Sequence, residues 1–333
     1  MNLLVTGGAG FIGGNCAVEL INEGHNVTIL DNLTNGSLAN VNMISRITGI
    51  KPDFFECDVR DENKVESILR SKDIDAVLHF AGLKSVSESV MSPLLYFKNN
   101  IEGGLSLLSA MKSAGVYHLI FSSSATVYKS GQKMPLSESS ITTDNNNPYG
   151  KSKYIFEKIL EDLCASDNRW SIGALRYFNP VGAHKSGLLG DNPSGSPSNL
   201  MPYICRVATG QYENLKIYGS DYPTTDGTGV RDFIHVQDLA EGHVAALKYM
   251  MFSVGYNVWN LGTGTGCSVL MLVKMFMDVT GESVPYILAP RRAGDVAESW
   301  ASAVKAEREL GWSATHGLDK MISDSWHFAH KNN

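Results

Sequence analysis

Short apolar runs, each followed by a turn and then a stretch with helical spacing, organise the first half of this chain. Leu3-Leu4-Val5 reads as a buried strand and Phe11 to Asn22 as a helix. Val27-Thr28-Ile29-Leu30 is the next strand, Phe54-Phe55 a short one, and Ala76-Val77-Leu78-His79-Phe80 another. A long helical pattern from Pro93 to Ser113 leads into a strand at His118-Leu119-Ile120-Phe121. Tyr149 to Ala165 has helical spacing again, and Ser171 to Tyr177 reads as a further strand. Strands that are apolar nearly throughout are covered on both faces. Alternating with helices, they predict an α/β fold with a Rossmann-type, doubly wound parallel sheet.

After Phe178 the character shifts. Gly187 to Pro197 is rich in Gly, Pro, Asn and Ser, which predicts an ordered binding loop or a mobile lid. Helices are expected at Gln237 to Met250, Ser268 to Thr280 and Leu318 to His330, mixed with short strands. Residues 1–180 are therefore expected to form the nucleotide-binding sheet domain. Residues 181–333 should form a smaller mixed α/β part that binds substrate, interleaved with the sheet.

Composition narrows the function classes. A net charge of −6 argues against a nucleic-acid binder, which carries a basic excess, but leaves room for a phosphorylated small substrate. Cys16, Cys57, Cys164, Cys205 and Cys267 are odd in number and scattered, as expected of reduced thiols rather than a disulfide framework or zinc site. His327 and His330 sit near the end of the chain, where a solvated tail is expected and no metal site. With neither a basic leader pattern nor an apolar run of membrane-spanning length, the expected compartment is the cytoplasm.

Gly7, Gly10 and Gly13 follow the first strand and open the first helix. Glycines there allow a tight turn and bring backbone amides against a pyrophosphate at the helix N-terminus. Asp31 ends the second strand about 20 residues later, where a carboxylate binds ribose hydroxyls and repels a 2′-phosphate. No arginine is adjacent to it, so NAD is expected rather than NADP, and residues 1–180 become its binding domain. Asp58-Val59 follow the third strand, where the adenine would lie, and Asp58 could equally cap the next helix. Phe80-Ala81-Gly82-Leu83-Lys84 follow the fourth strand as a small-residue turn suited to close approach. The cluster Gly262 to Gly266 reads as a strand-to-helix turn, not a second nucleotide site.

Tyr149 and Lys153 are four apart and share one face of their helix. A nearby ammonium favours the phenolate, so the Tyr149 pKa is expected to fall from about 10 toward neutrality. Such a phenolate can remove an alcohol proton while the carbon loses hydride.

Four blocks carry a family resemblance: Thr6-Gly7-Gly8-Ala9-Gly10-Phe11-Ile12-Gly13, Ser122-Ser123-Ser124-Ala125-Thr126-Val127-Tyr128, Tyr149-Gly150-Lys151-Ser152-Lys153 and Arg176-Tyr177-Phe178-Asn179-Pro180. They resemble the extended short-chain dehydrogenases/reductases. Asn199-Leu200-Met201-Pro202, Asp226 to Asp232 and Pro290-Arg291-Arg292 extend the likeness, nearly end to end, to the UDP-glucose 4-epimerase family. The resemblance implies a tightly bound NAD that ends each turnover unchanged. Tyr149 would take the 4-hydroxyl proton as hydride leaves C4, Ser124 would bridge the sugar hydroxyl, and Lys153 would hold the nicotinamide ribose. The 4-keto sugar would then swing about its diphosphate link and take hydride on its other face. Ser122 would line the cofactor site, and Ser122 and Ser123 would otherwise satisfy backbone groups at the strand end.

Further cofactor contacts implied are Phe11, Ile12, Asn32, Asn35, Gly82, Lys84, Asn99 and Phe178. Implied substrate contacts are Lys84, Asn179, Asn199, Leu200, Lys216, Ile217, Tyr218, Arg231, Arg292, Asp295 and Ser299. Guanidinium groups at Arg231 and Arg292 suit phosphate oxygens. A homodimer through the helices at Leu94 to Met111 and Tyr154 to Leu163 is also implied. Two departures matter. The related dehydratases carry an Asp-Glu pair where this chain has Ala125-Thr126, so no acid is present there to expel water. Relatives restricted to glucose and galactose carry tyrosine where this chain has Ser299, which predicts room for a 2-acetamido group and turnover of UDP-GlcNAc/UDP-GalNAc as well as UDP-Glc/UDP-Gal. Neighbouring side chains filling that room is the alternative. The pathway served, galactose breakdown or polysaccharide supply, stays open.

Overall fold

The apolar strands assemble into one seven-stranded, wholly parallel sheet. In the computed structural model every residue is described except 144–146, 194, 196, 293 and 333. Two residues of the expected 187–197 loop thus lie outside the described set, and the rest of that loop is irregular. The chain opens with β1 (Asn2–Thr6), α1 (Phe11–Asn22), β2 (Asn26–Asp31), α2 (Leu38–Thr48), β3 (Asp53–Glu56), α3 (Glu62–Ser71) and β4 (Ala76–His79). Next come α4 (Val86–Met91), α5 (Pro93–Phe97), a π turn at Lys98–Glu102, α6 (Gly103–Ala114), β5 (His118–Ser124), α7 (Pro148–Ser166) and β6 (Ser171–Tyr177). Then follow β7 (Asn179–Val181), α8 (Leu200–Ala208), β8 (Leu215–Tyr218), β9 (Val230–Arg231), β10 (Phe233–His235), α9 (Val236–Met250) and β11 (Gly255–Leu261). The last elements are β12 (Cys267–Ser268), α10 (Val269–Thr280), β13 (Tyr286–Ala289), β14 (Glu298–Ser299), α11 (Val304–Leu310) and α12 (Leu318–Lys331).

Strand order is β11-β6-β5-β4-β1-β2-β3. The chain leaves β1 toward β2 and β3, then crosses back to β4, β5 and β6. That reversal opens a crevice at the carboxyl ends of β1 and β4. Side chains alternate between the two faces. Leu3, Val5, Ile29 and Leu78 pack against α1, α2 and α9, whereas Leu4, Leu30, Val77 and Leu119 pack against α3, α6 and α7. Each such burial is worth about 1.5–3 kcal/mol. A one-residue slip would exchange the sets of side chains facing the two layers, so register is strongly specified. The edge strand β11 comes from the later half of the chain and pairs with β6 from Gly255↔Ser171 to Leu261↔Tyr177.

The second part holds three small sheets, β10-β7, β12-β9-β14 and β13-β8, around a core of α8, α10 and α12. Its strands β7 and β9 carry Asn179 and Arg231 beside the crevice. The helix expected from Pro93 to Ser113 is interrupted. One extra residue in the π turn carries Asn100 inward, where its Oδ1 accepts from the Leu83 amide at 2.8 Å and its Nδ2 donates to Ser152 Oγ at 3.1 Å. Such insertions recur at functional sites. Immediately after it, a Cβ on Gly104 would lie 2.3 Å from the Phe156 ring, so only glycine lets α6 pack on α7 this closely. Among the described residues, no helix is long and apolar enough to cross a membrane.

Candidate active site

The glycine loop is built by exclusion. Gly7 has φ +71°, and a Cβ there would stand 2.6 Å from the Ala81 amide; one on Gly13 would stand 2.4 Å from the Gly7 carbonyl. No side chain fits between the loop and the turn after β4. Gly10 caps α1 without a side chain, which leaves the first-turn amides facing an open cleft. A backbone cradle of this form fits a pyrophosphate.

At the end of β2, Asp31 accepts from the amides of Leu33 (2.8 Å) and Ala9 (3.1 Å). Burial raises its pKa, and those two amides hold it down. Asp58 does not cap the following helix; Asp61 does, accepting from the Lys64 amide. Asp58 instead accepts from Arg60 through Nε at 2.9 Å and Nη2 at 2.7 Å, and from Asn32 at 3.0 Å. The guanidinium holds its carboxyl well below the usual carboxylate range. Arg60 is thereby committed to Asp58, which fits an unphosphorylated ribose.

The reacting end lies where β5 meets α7. Asn147 caps α7, its Oδ1 accepting from the Gly150 amide at 2.8 Å, and the first two turns present Tyr149 and Lys153. Tyr149 and Ser124 share a hydroxyl hydrogen bond. Ser124 Oγ also accepts from Thr126 Oγ1 at 2.9 Å. Lys153 Nζ donates to the Ser122 carbonyl at 2.6 Å and lies 4.8 Å from the Phe121 ring centre.

Titration at this end departs from the sequence expectation. Burial pushes the Tyr149 pKa up, and only the Ser124 hydrogen bond draws it down. Burial also pushes Lys153 down, to about 8, against the opposing charge of Glu157. The protein alone therefore pairs a phenol with an ammonium at neutral pH. Burial governs Tyr149, and the Lys153 ammonium is anchored on the Ser122 carbonyl.

One continuous cleft of about 860 Å³ connects these parts, within the usual range for a small-molecule site. Every residue expected at the cofactor lines it, from Gly7 to Phe178, including Asn35, Val59, Gly82 and Asn99. Lys84, Ser124, Tyr149, Asn179, Asn199, Arg231, Asp295 and Ser299 line it on the substrate side. Arg231 Nη1 donates to the Val230 carbonyl at 2.8 Å, and Nη2 lies 3.8 Å from Asp295. Strand pairing sets Ser299 directly opposite Arg231. Asn199 donates to Asp191 at 2.7 Å.

Other expected substrate residues are not on the lining. Ile217 is buried in the second core, Lys216 points to solvent, and Leu200 packs against the same core. The Arg292 guanidinium stacks on the Tyr218 ring at 4.4 Å. Two features escaped the sequence reading. Tyr177 lines the cleft and hydrogen-bonds His243 and Ser122. Ser123 does not serve the backbone but donates to the Glu157 carboxylate. Tyr177 was signalled only by its place in the Arg176-Tyr177-Phe178-Asn179-Pro180 block, and Ser123 only by the polar run that ends an otherwise apolar strand.

The model of the NAD dependent epimerase/dehydratase family matches residues 3–262. A Bacillus subtilis (strain 168) UDP-glucose 4-epimerase is 51% identical over 332 residues, covering 100% of this chain and 98% of that protein. The crystal structure of a Stenotrophomonas maltophila UDP-glucose 4-epimerase with bound NAD and formylated UDP-arabinopyranose is 50% identical, with a TM-score of 0.97, over 100% of this chain and 98% of that one. A Bifidobacterium longum UDP-glucose 4-epimerase in complex with NAD+ and UDP is 48% identical with a TM-score of 0.98, over 100% and 99%.

Proposed function

Because this chain belongs to the NAD dependent epimerase/dehydratase family, and within it to the UDP-glucose 4-epimerases, we propose that its cleft inverts C4 of UDP-hexoses, acting on UDP-GlcNAc/UDP-GalNAc as well as UDP-Glc/UDP-Gal. The observation that carries this reading is the meeting of Tyr149, Ser124 and Lys153 at the end of the glycine-loop cleft. NAD, once held along that loop, supplies the acceptor to which the C4 hydrogen passes and from which it returns, and a positive ring charge. Tyr149 takes the proton of the 4-hydroxyl through Ser124 and gives it back when C4 is reduced on the other face. The Lys153 ammonium, with that ring charge, offsets the burial that holds Tyr149 protonated. Asn179, Asn199 and Arg231 keep the uridine diphosphate in place while the sugar turns about its diphosphate link. Positions 125 and 126 carry no acid, so nothing there assists loss of water.

Protein purified without added cofactor should release NAD on acid denaturation, interconvert UDP-glucose and UDP-galactose, and accumulate no NADH. NADH appearing in step with sugar consumption would make it a net oxidoreductase. Retained NAD without turnover would make it a regulator on the same fold.

The same reading includes a homodimer. Met91 on α4 and Leu94 on α5 are 78% and 81% exposed, and Leu105 on α6 and Ile155 on α7 are exposed as well. Apolar side chains left open across neighbouring helices suit an isologous interface. Sedimentation should give twice the chain mass, and a Leu94→Glu/Leu105→Glu variant half of that. A monomeric parent protein would refute the interface.

A further inference from the structure

On α7, residues 149, 153 and 157 lie one turn apart, and each engages the end of β5. Tyr149 pairs with Ser124, Lys153 Nζ with the Ser122 carbonyl, and the Glu157 carboxylate with the Ser123 hydroxyl. Arg176 stands opposite Ser123 in the β5–β6 register and grips Glu157 through Nη2 at 2.6 Å and Nε at 3.0 Å. Its Nη1 donates to Tyr128 Oη at 3.0 Å. Glu157 and Arg176 are 3% and 5% exposed.

Removing both charges from water is costly, and well-packed apolar residues commonly replace such a pair without loss of stability. A stability role alone therefore explains it poorly. Its position explains it better. Glu157 is the carboxylate one turn beyond the buried Lys153, on the same helix face. We propose that Glu157 is a positioning residue for the C4 chemistry, holding α7 in register on β5 and keeping the Lys153 ammonium charged beside Tyr149. This rests on the roles assigned above to Tyr149 and Lys153.

The groups facing Lys153 agree with it. From α7 come Tyr149 and Glu157, from β5 the Phe121 ring, and from β4 His79, whose buried imidazole is pushed down to about 3 and stays neutral. Glu157 in turn faces Arg176 from β6, Tyr256 from β11 and Lys158 from its own helix. No other carboxylate acts on Lys153 among these groups.

The test is the titration of Lys153 in the holoenzyme, followed by the chemical shift of carbon-13-labelled lysine Cε and assigned with Lys153→Met. In Glu157→Gln the midpoint should fall by about one pH unit. The alkaline limb of kcat should move the same way, with KM for UDP-glucose unchanged. If the single variant misfolds because Arg176 is left unpaired, Glu157→Gln/Arg176→Met removes both charges and should fold. Its Lys153 midpoint should still lie below that of the parent. A midpoint and alkaline limb at the parent values in a folded variant would overturn the proposal. Turnover by the parent protein tests the functional reading separately, since the titration requires none.

Discussion

A Tyr149→Phe variant is expected to fold, retain NAD and lose 4-epimerase turnover by about 10²–10⁴-fold, the range a positioned general base contributes. The substitution removes one hydroxyl. The ring keeps its edge contact with Tyr96, at 6.5 Å between centres, and Ser124 keeps Thr126 as a partner. Lys153 stays anchored on the Ser122 carbonyl. Cofactor content and thermal midpoint should therefore match the parent protein while kcat collapses. A kcat within tenfold of the parent would remove Tyr149 from the chemistry.

The pH dependence follows from the same two groups, with opposite signs. Tyr149 has its pKa raised by burial, so lowering the pH depletes the phenolate needed to take a proton. Lys153 has its pKa lowered to about 8, so raising the pH through that value removes the ammonium that supports the phenolate. Activity is expected to fall on both sides of an intermediate optimum. The acid limb should vanish from the residual activity of Tyr149→Phe. For stability the sign is different. The unfolded chain binds the Lys153 proton more tightly than the folded one, so this residue destabilises the fold below about pH 8. That cost is relieved as pH rises toward the unfolded lysine value of about 10.4.

How much of this was legible in the sequence depends on how local each feature is. The parallel sheet was visible because buried strands such as Leu3-Leu4-Val5 and Ala76 to His79 are apolar on both faces, and the glycine loop because Gly7 and Gly13 leave no space for a Cβ. The Tyr149–Lys153 pair needed only the helical period. What stayed hidden was non-local or inserted. The edge strand β11 joins β6 across more than 80 residues of chain, from Gly255 to Ser171. The π turn at Lys98–Glu102 contains neither Gly nor Pro to mark a break, so Pro93 to Ser113 read as continuous. Glu157 and Arg176 are 19 residues apart on different elements and meet only once α7 lies on β6. Nor can a motif shared with relatives show which way a strand faces. Ile217 alternates into the core of its small sheet, and Lys216 away from it.

The second large effect expected is selective. Ser299→Tyr should leave UDP-glucose turnover near that of the parent and cut kcat/KM for UDP-GlcNAc by about 5–150-fold, equivalent to the 1–3 kcal/mol that overpacking a well-formed site costs. Position 299 cannot readily move aside. The Asp232 amide donates to its carbonyl at 3.0 Å, β14 pairs it with Arg231, and the Asp232 carboxylate accepts from the Ala301 amide at 3.1 Å two residues on. A larger side chain fixed on the cleft wall must therefore take space from the ligand rather than displace backbone. If that space serves a 2-acetamido group, the smaller 2-hydroxyl of glucose loses little by it, and specificity arises by excluding the larger sugar. Ser299→Ala, which keeps the space and removes only the hydroxyl, should retain both substrates. Equal losses on both sugars in Ser299→Tyr would show that the residue is no gatekeeper. A parent protein that turns over UDP-glucose but not UDP-GlcNAc would show that neighbouring side chains have filled the room.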